Sequence, residues 1–172
     1  MTADMVAVEL RQVTKSFGDR RVLEDVSLTV PAGRSTCILG RSGTGKSVAL
    51  KHIVGLIHPD AGTVMIEGVD ITRLTGRDLS KVRQRIGFLF QNAALFDSIS
   101  VGENVAFPLR RHTRLPDRDI RARALQLLAQ VGLDREYDKM PADLSGGMRK
   151  RAGLARALAL EPAILLADEP SA

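Results

Sequence analysis

Hydrophobic and polar positions alternate near the start of the chain. The alternation is clear from Val6 to Val13 and looser from Val22 to Val30. A period of two predicts strands that expose one face to solvent. Gly18 and Asp19 lie between the two runs and are typical turn residues. The pattern therefore predicts two strands that are joined by a short turn.

The rest of the chain mixes short apolar strands with helices. Ser35–Leu39 is predicted to be a strand that leads into a glycine-rich loop, and a helix is predicted from Lys46 to a stop before Pro59. Other predicted strands cover residues 63–67, 86–90 and 163–167, and other predicted helices cover residues 78–85, about 120–131 and about 145–160. Residues 93–117 are predicted to be irregular because they contain two prolines. This mixture indicates an α/β fold with a largely parallel core sheet.

Composition is that of an ordinary water-soluble domain. The 172 residues are 44% hydrophobic and 26% charged, which suffices for one domain with a core. Charge interrupts every apolar run well short of the roughly 18 residues that a membrane helix needs. The first residues lack the features of a signal peptide. The single cysteine, Cys37, cannot form an internal disulfide and is expected to be a small buried hydrophobe. The cytosol is therefore the expected location by default.

The net charge of +5 raises the question of nucleic acid. Basic residues are scattered, however, and aromatic residues make up only 3% of the chain, so a base-stacking surface is not expected. The densest basic stretches are residues 110–112 and 149–151. We expect both to be solvated or to face a protein partner, and attraction to an anionic membrane surface is a second interpretation. Nucleic acid is not an expected partner.

A glycine-rich segment matches the phosphate-binding pattern G-x-x-x-x-G-K-[ST] between a predicted strand and a predicted helix. Its residues are Gly40, Arg41, Ser42, Gly43, Thr44, Gly45, Lys46 and Ser47. Glycines let backbone N–H groups turn toward phosphate oxygens, and the helix start adds its own unpaired N–H groups. Lys46 is expected to bind the β- and γ-phosphates, and the Ser47 hydroxyl to bind Mg²⁺. The alternative is a chance match in a glycine-rich loop.

Two carboxylates follow the predicted strand at residues 163–167. Ligands bind at the carboxyl ends of strands in open α/β sheets. Asp168 is expected to hold Mg²⁺ directly or through a coordinated water, and Glu169 to polarise the attacking water as general base. The alternative is a pair of solvated loop residues. The phosphate-binding pattern upstream favours the catalytic interpretation.

The segment Leu144-Ser145-Gly146-Gly147-Met148 resembles the LSGGQ signature of ATP-binding-cassette (ABC) ATPases. Ser145 is a suitable helix cap, and Gly146 and Gly147 let backbone N–H groups approach an anion. Taken alone, the segment could be a plain capping motif. Its position between the phosphate-binding pattern and the acidic strand end favours the signature.

Two further positions resemble functional residues of that family. Gln91 resembles the glutamine that reaches the metal and the water and links to the membrane partner. Phe17 resembles the aromatic residue that stacks on adenine, although a phenylalanine before a turn is more often a packing residue.

The resemblance implies a P-loop ABC-ATPase fold. This fold has a mixed or parallel core sheet, an N-terminal antiparallel β subdomain and a helical signature subdomain, here about residues 93–145 of one partial domain spanning 1–172. It also implies a homodimer in which Ser145, Gly146 and Gly147 of one copy close over ATP and Mg²⁺ on the phosphate loop of the other. The cycle of ATP binding and hydrolysis would drive an integral-membrane permease.

A narrower resemblance links three segments to the ATPases of Mla/Mce lipid transporters. These are residues 89–97, 104–110 and 140–151, and Met148 in place of the signature glutamine fits that branch. The resemblance implies transport of phospholipid or another hydrophobic molecule, a lipid-binding Mce-type partner and a place on the cytoplasmic face of the inner membrane. Ala94, Leu95 and Phe96 are expected either to form a groove for a permease helix or to pack in the core.

The family pattern extends beyond Ala172, through a further strand and a switch histidine. All three histidines here lie upstream of Asp168. We therefore expect a fold that is incomplete at its C-terminus, poorly stable in isolation and nearly inactive alone. A soluble ABC ATPase of translation or DNA repair and an inactive nucleotide-binding remnant are the alternative functions. The short spacing between Gln91 and Ser145 favours the transporter.

Overall fold

A computed structural model describes residues 5–169, which divide into two units between Arg83 and Gln84. The first unit contains β1 (Val6–Phe17), β2 (Arg20–Pro31), α1 (Lys46–Ile53), β3 (Ala61–Ile66), β4 (Val69–Asp70) and α2 (Gly76–Arg83). The second contains β5 (Ile86–Leu89), α3 (Val101–His112), α4 (Asp117–Gln130), a 3-10 turn (Pro141–Asp143), α5 (Gly146–Ala157) and β6 (Ile164–Ala167).

The first unit is built on an antiparallel sheet with the strand order β2-β1-β3-β4. Leu10 at its centre pairs with Leu28 on one side and Val64 on the other. Val8, Leu10 and Val13 are buried, and the register shifts between Leu10 and Val13, where Gln12 has a left-handed φ of 50°. The bulge adds one residue to β1, so the buried positions Leu10 and Val13 are three residues apart, whereas a regular strand would bury every second residue. The predicted N-terminal antiparallel β unit is confirmed.

Ser35–Leu39 is not a strand, so that prediction is wrong. Strands require a partner for their backbone hydrogen bonds, and the ladders within residues 5–169 join other segments. The segment is exposed instead, and Leu39 retains 87% of its surface. Cys37 is exposed as well, which contradicts its predicted burial. Both predictions were wrong because an apolar run becomes a buried strand only where another strand pairs with it.

The second unit packs three helices around one core and adds a two-stranded parallel sheet. Strands β5 and β6 run in parallel, with Leu89 opposite Ala167. The sequence predicts one apolar stripe on this helix, made of Ile120, Ala124, Leu127, Leu128 and Val131. The first four are buried in α4, whereas Val131 follows the helix and is only partly buried. Gly132 follows this helix with a left-handed φ of 68°, as a helix-ending glycine should.

Residues 101–112 form helix α3, so the prediction of an irregular segment there is wrong. Ser100 caps the helix, and its hydroxyl accepts a hydrogen bond of 3.2 Å from Glu103 N–H. Pro108 lies inside the helix, where proline costs about 3 kcal/mol. Three buried side chains of the same helix, each worth about 1.5–3 kcal/mol, outweigh that cost. They are Val101, Val105 and Leu109.

Among the helices of residues 5–169, none is both long enough and apolar enough to cross a membrane.

Helix α1 carries a buried histidine on its inner face. His52 is 1% exposed, and its Nδ1 lies 2.8 Å from the carbonyl oxygen of Val48. The other ring nitrogen, Nε2, has no hydrogen-bond partner among the described residues. Burial lowers the pKa of His52, and the nearby charges of Lys15 and Asp60 oppose each other. The neutral imidazole is therefore the form that fits this core.

This burial predicts acid sensitivity. Between the lowered pKa of folded His52 and the unfolded value near 6.5, only the unfolded chain binds the proton, so the free energy of unfolding falls as pH falls. The slope from this residue is at most about 1.4 kcal/mol per pH unit. Urea unfolding at pH 7.5 and pH 5.5 should show the loss, and His52→Leu should reduce it.

The core substitution Ile53→Val is the control for that experiment. It should lower stability by about 0.5–1.5 kcal/mol at both pH values and leave the difference between them in place. An identical pH dependence in His52→Leu and the wild type would contradict the assignment.

Candidate functional site

The phosphate-binding pattern forms an exposed loop that leads directly into α1. Gly45 precedes the helix, and Lys46 is its first residue. The Lys46 ammonium donates to the carbonyl oxygens of Gly40 at 2.8 Å and Arg41 at 2.9 Å. The Thr44 hydroxyl donates to the same Arg41 carbonyl at 2.8 Å. These bonds curl the loop and hold a cation beside the unpaired N–H groups of the helix start.

Glycine is required at position 45 for two independent reasons. Its φ of 94° lies in the left-handed region. A Cβ on this residue would also lie 2.8 Å from Cδ2 of Leu23 and 3.0 Å from the carbonyl oxygen of Val22. The loop therefore rests directly on strand β2, and this close approach fixes where helix α1 begins.

Phe17 lies at the end of β1 and keeps 49% of its surface exposed. The Lys15 ammonium lies 5.6 Å from the centre of its ring. A ring this exposed contributes little to a core, which is evidence against the alternative that Phe17 is a packing residue. Its face is available for stacking on a planar ligand.

The register of the parallel sheet brings two predicted site residues together. Leu89 and Ala167 are opposite each other, and Gln91 and Glu169 each lie two residues further along. The Gln91 Nε2 group donates to Oε2 of Glu169 at 2.6 Å. The sequence assigned both residues to strand ends, and the structure adds this direct contact.

Asp168 is buried and its position is fixed by the backbone. Its N–H donates to the carbonyl oxygen of Leu89 at 2.9 Å, which extends the ladder between β5 and β6 by one bond. Glu169 then turns away with a left-handed φ of 50°.

The signature segment forms the exposed start of α5. Ser145 caps the helix, and its hydroxyl accepts from Met148 N–H at 3.3 Å. Gly146 and Gly147 are exposed, and a Cβ added to either would meet nothing within 4 Å. Neither glycine is needed for packing in this unit. Their absent side chains leave the helix start open to an approaching ligand.

The oxygen donors predicted for Mg²⁺ suit that ion. Ser47 and Gln91 are neutral and Asp168 is anionic, and hard cations take such oxygen ligands. Residues 5–169 contain no group of three or more histidine, cysteine, aspartate or glutamate side chains that could hold a metal.

The basic stretch at residues 149–151 does more than face solvent. Arg149 donates to the Leu144 carbonyl, Lys150 to that of Glu169 and Arg151 to that of Val131. These side chains tie the start of α5 to neighbouring loops. Sequence spacing could not reveal such bonds, because carbonyl acceptors belong to every residue type.

The profile of the ABC transporter family matches residues 23–172. The chain belongs to the ABC transporter family. Among curated ABC relatives, a probable ribonucleotide transport ATP-binding protein, mkl of Mycobacterium tuberculosis, is 50% identical over 96% of this chain and 46% of its own length. The intermembrane phospholipid transport ATP-binding protein MlaF is 47% identical in Haemophilus influenzae and 44% in Escherichia coli, over 95% of this chain.

Solved ABC cassettes share the fold. The dimeric bacterial cassette MJ0796 superposes with a TM-score of 0.91 at 37% identity, covering 95% of this chain and 74% of its own. The cassette cbiO1 of Clostridium perfringens gives 0.81 at 30% identity, covering 97% and 66%. The predicted fold and the resemblance to the Mla branch are thus confirmed. The chain spans about half to three fifths of the length of the curated ABC relatives that it matches.

The contrasting surroundings of two glycines predict opposite responses to alanine. Gly45→Ala should lower the free energy of unfolding by about 2 kcal/mol or more, because it combines left-handed strain with overlap against β2. Gly146→Ala is the matched control, and it should leave stability unchanged or raise it by less than about 1 kcal/mol. Chemical denaturation measures both variants. Equal losses would contradict this account of Gly45.

Proposed function

We propose that this chain is the ATP-binding and ATP-hydrolysing part of a transporter that moves phospholipid or another hydrophobic molecule across or between bacterial envelope membranes. One observation carries the proposal. A member of the ABC family presents two glycine-rich helix starts, one that follows the exposed loop of residues 40–44 and one at the exposed Ser145, and a glutamine bonded to a glutamate at the end of its parallel sheet.

The first helix start suits the triphosphate of ATP. Backbone N–H groups of residues 40–47 and the positive end of α1 attract phosphate oxygens. Lys46 binds the β- and γ-phosphates, and its reach back to the Gly40 carbonyl supports a side chain that bends over the loop. Phe17 stacks on adenine, which its exposed ring supports.

The Gln91–Glu169 pair suits activation of the attacking water. Glu169 accepts a proton from water as the oxygen attacks the γ-phosphorus, and the bond to the β-phosphate oxygen breaks to release ADP. Gln91 orients the carboxylate and the water through its amide. Ser47, Asp168 and Gln91 would hold Mg²⁺, which neutralises charge on the β- and γ-phosphates when it is bound.

The second helix start suits the nucleotide of another copy. Ser145, Gly146 and Gly147 are exposed, and the two glycines have open space around them. They close on the γ-phosphate of ATP bound to the phosphate loop of a partner subunit. A homodimer of this kind is supported by the likeness to MJ0796, whose structure is dimeric.

An apolar groove in the second unit suits a helix of the permease. Its volume is about 340 Å³, and Ala94, Phe96 and Phe107 are among its lining residues. Leu95 does not line this groove and packs against the helical core instead. Ala94 and Phe96 therefore support the groove interpretation, and Leu95 supports the alternative of core packing. The phospholipid substrate is supported by the MlaF relatives, whose name gives intermembrane phospholipid transport. A lipid-binding Mce-type partner and a position on the cytoplasmic face of the inner membrane belong to the same proposal.

Two substitutions test the ATPase in the assembled transporter. Lys46→Ala should weaken ATP binding about 10- to 100-fold, because a charged hydrogen-bond donor is worth about 1.5–3 kcal/mol. Glu169→Gln should keep ATP binding, lower hydrolysis by about 10²- to 10⁴-fold and accumulate ATP-bound dimers. Equilibrium binding of ATP, phosphate release and sizing chromatography measure these effects. Lys51→Ala, an exposed lysine on the same helix, is the control and should match the wild type. Undiminished turnover in Glu169→Gln would refute the assigned base.

Cysteine crosslinking tests the groove in the assembled transporter. Cys37 is exposed and must first be replaced by serine. Cysteines at Ala94 and Phe96 should then crosslink to a cytoplasmic helix of the permease. A cysteine at Leu115, an exposed apolar residue outside the lining, should not. Crosslinks from Ala94 and Phe96 that reach only lipid headgroups, or nothing, would rule out this docking site.

A further inference from the structure

The loop that follows Gln91 has an unusual backbone conformation. Ala93 and Ala94 are consecutive, and their φ angles are 58° and 48°. The left-handed region is unfavourable for a residue with a side chain, because its Cβ lies too close to the following carbonyl oxygen. Two such residues in succession persist only when surrounding contacts hold them in place. The N–H groups of both residues donate to carbonyl oxygens within the loop, those of Phe90 and Asn92. The contacts from outside the loop come from helix α5.

Arg156, in the last turn of α5, binds both of these residues. Its Nη2 donates to the Ala93 carbonyl oxygen at 2.7 Å, and its Nη1 donates to that of Ala94 at 2.8 Å. The guanidinium also lies 5.8 Å from the ring centre of Phe96. Burial lowers the pKa of Arg156, but a guanidinium keeps its charge in proteins. A planar fork matches two adjacent carbonyls better than a single amine could.

The same helix touches the loop at a second point. Gly153 lies one turn before Arg156, and a Cβ on it would lie 2.9 Å from Cβ of Ala93. The absence of a side chain at position 153 lets α5 approach Ala93 closely. Ala93 itself is 1% exposed. The helix therefore both supports this loop and binds its carbonyls.

Gln91 lies between two fixed points of the backbone. On one side, β5 is held by its parallel ladder with β6 up to Leu89 and Ala167. On the other side, Ala93 and Ala94 are held by Arg156. The direction of the Gln91 side chain follows from these constraints, and it ends in the 2.6 Å bond to Glu169.

We propose that Arg156 is a positioning residue for Gln91, and that it sets the amide of Gln91 against the carboxylate of Glu169 by holding the carbonyls of Ala93 and Ala94. The inference rests on the proposed ATPase function, in which Gln91 and Glu169 orient the attacking water. Arg156 acts on the rate of hydrolysis through Gln91 alone. It has no part in holding the phosphates.

The test compares Arg156→Gln with Arg151→Gln in the assembled transporter. Arg151 is a matched control, since it lies on the same helix and also donates to two carbonyls, those of Val131 and Gly132. Arg156→Gln should lower kcat about 10- to 100-fold, as small displacements of a catalytic group do, with KM for ATP unchanged. Arg151→Gln should lower the melting temperature and leave kcat as in the wild type.

A double-mutant cycle separates positioning from simple stabilisation. If Arg156 acts through Gln91, then Arg156→Gln should cause no further loss of kcat once Gln91 has been replaced by alanine. Multiplied losses in the double variant would overturn the proposal. So would a rise in KM without a fall in kcat.

Gly153→Ala disturbs the same loop without removing a charge. Alanine is a better helix former than glycine, so a fall in kcat would come from the push on Ala93 and not from a weaker helix. The fall should again vanish in the Gln91→Ala background. If Arg156→Gln does not fold, this variant decides the matter, and a wild-type kcat in Gly153→Ala would overturn the proposal. Wild-type protein that neither binds nor hydrolyses ATP would refute the proposed function instead.

Discussion

An α-helix leaves its first backbone N–H groups without partners inside the helix, and both glycine-rich segments of this chain depend on that constraint. At Gly45 the position of the helix start is fixed, because the loop packs against β2 at a distance that only glycine allows. At Gly146 and Gly147 the surroundings are empty, so packing within the fold does not require glycine there. One backbone property thus underlies both of the anion-binding surfaces that we propose, and the local packing tells them apart.

Much of this arrangement could be predicted from the sequence, because the relevant chemistry is local. A phosphate-binding loop requires glycines, a lysine and a hydroxyl in a fixed order, and a capped helix start requires a residue such as Ser145. The strand ends at Gln91 and Glu169 follow from apolar runs that stop at polar residues. Their hydrogen bond could not be predicted, because it depends on which strands pair and in what register.

The errors share a physical cause. Pro108 suggested irregular structure, yet the buried face of α3 outweighs the proline. The segment Ser35–Leu39 suggested a buried strand with Cys37 inside, yet a strand exists only where another strand completes its hydrogen bonds. The contacts of Arg156 could not be predicted, because its partners are backbone carbonyl oxygens, which every residue type has. Local preferences were correct except where contacts distant in sequence decide the outcome.

Helix α5 connects two parts of the second unit that sequence motifs treat as separate. Its N-cap is Ser145 of the signature, and its last turn carries Arg156, which donates hydrogen bonds to the loop after Gln91. Twelve residues make a helix about 18 Å long, which joins the signature cap to Arg156 through one continuous run of backbone hydrogen bonds. In the proposed function, a shift of this helix caused by a ligand at its first N–H groups would also reach the carbonyls that Arg156 holds. Closing of the signature on the nucleotide of another copy would then bear on the aim of Gln91 at Glu169 in its own copy.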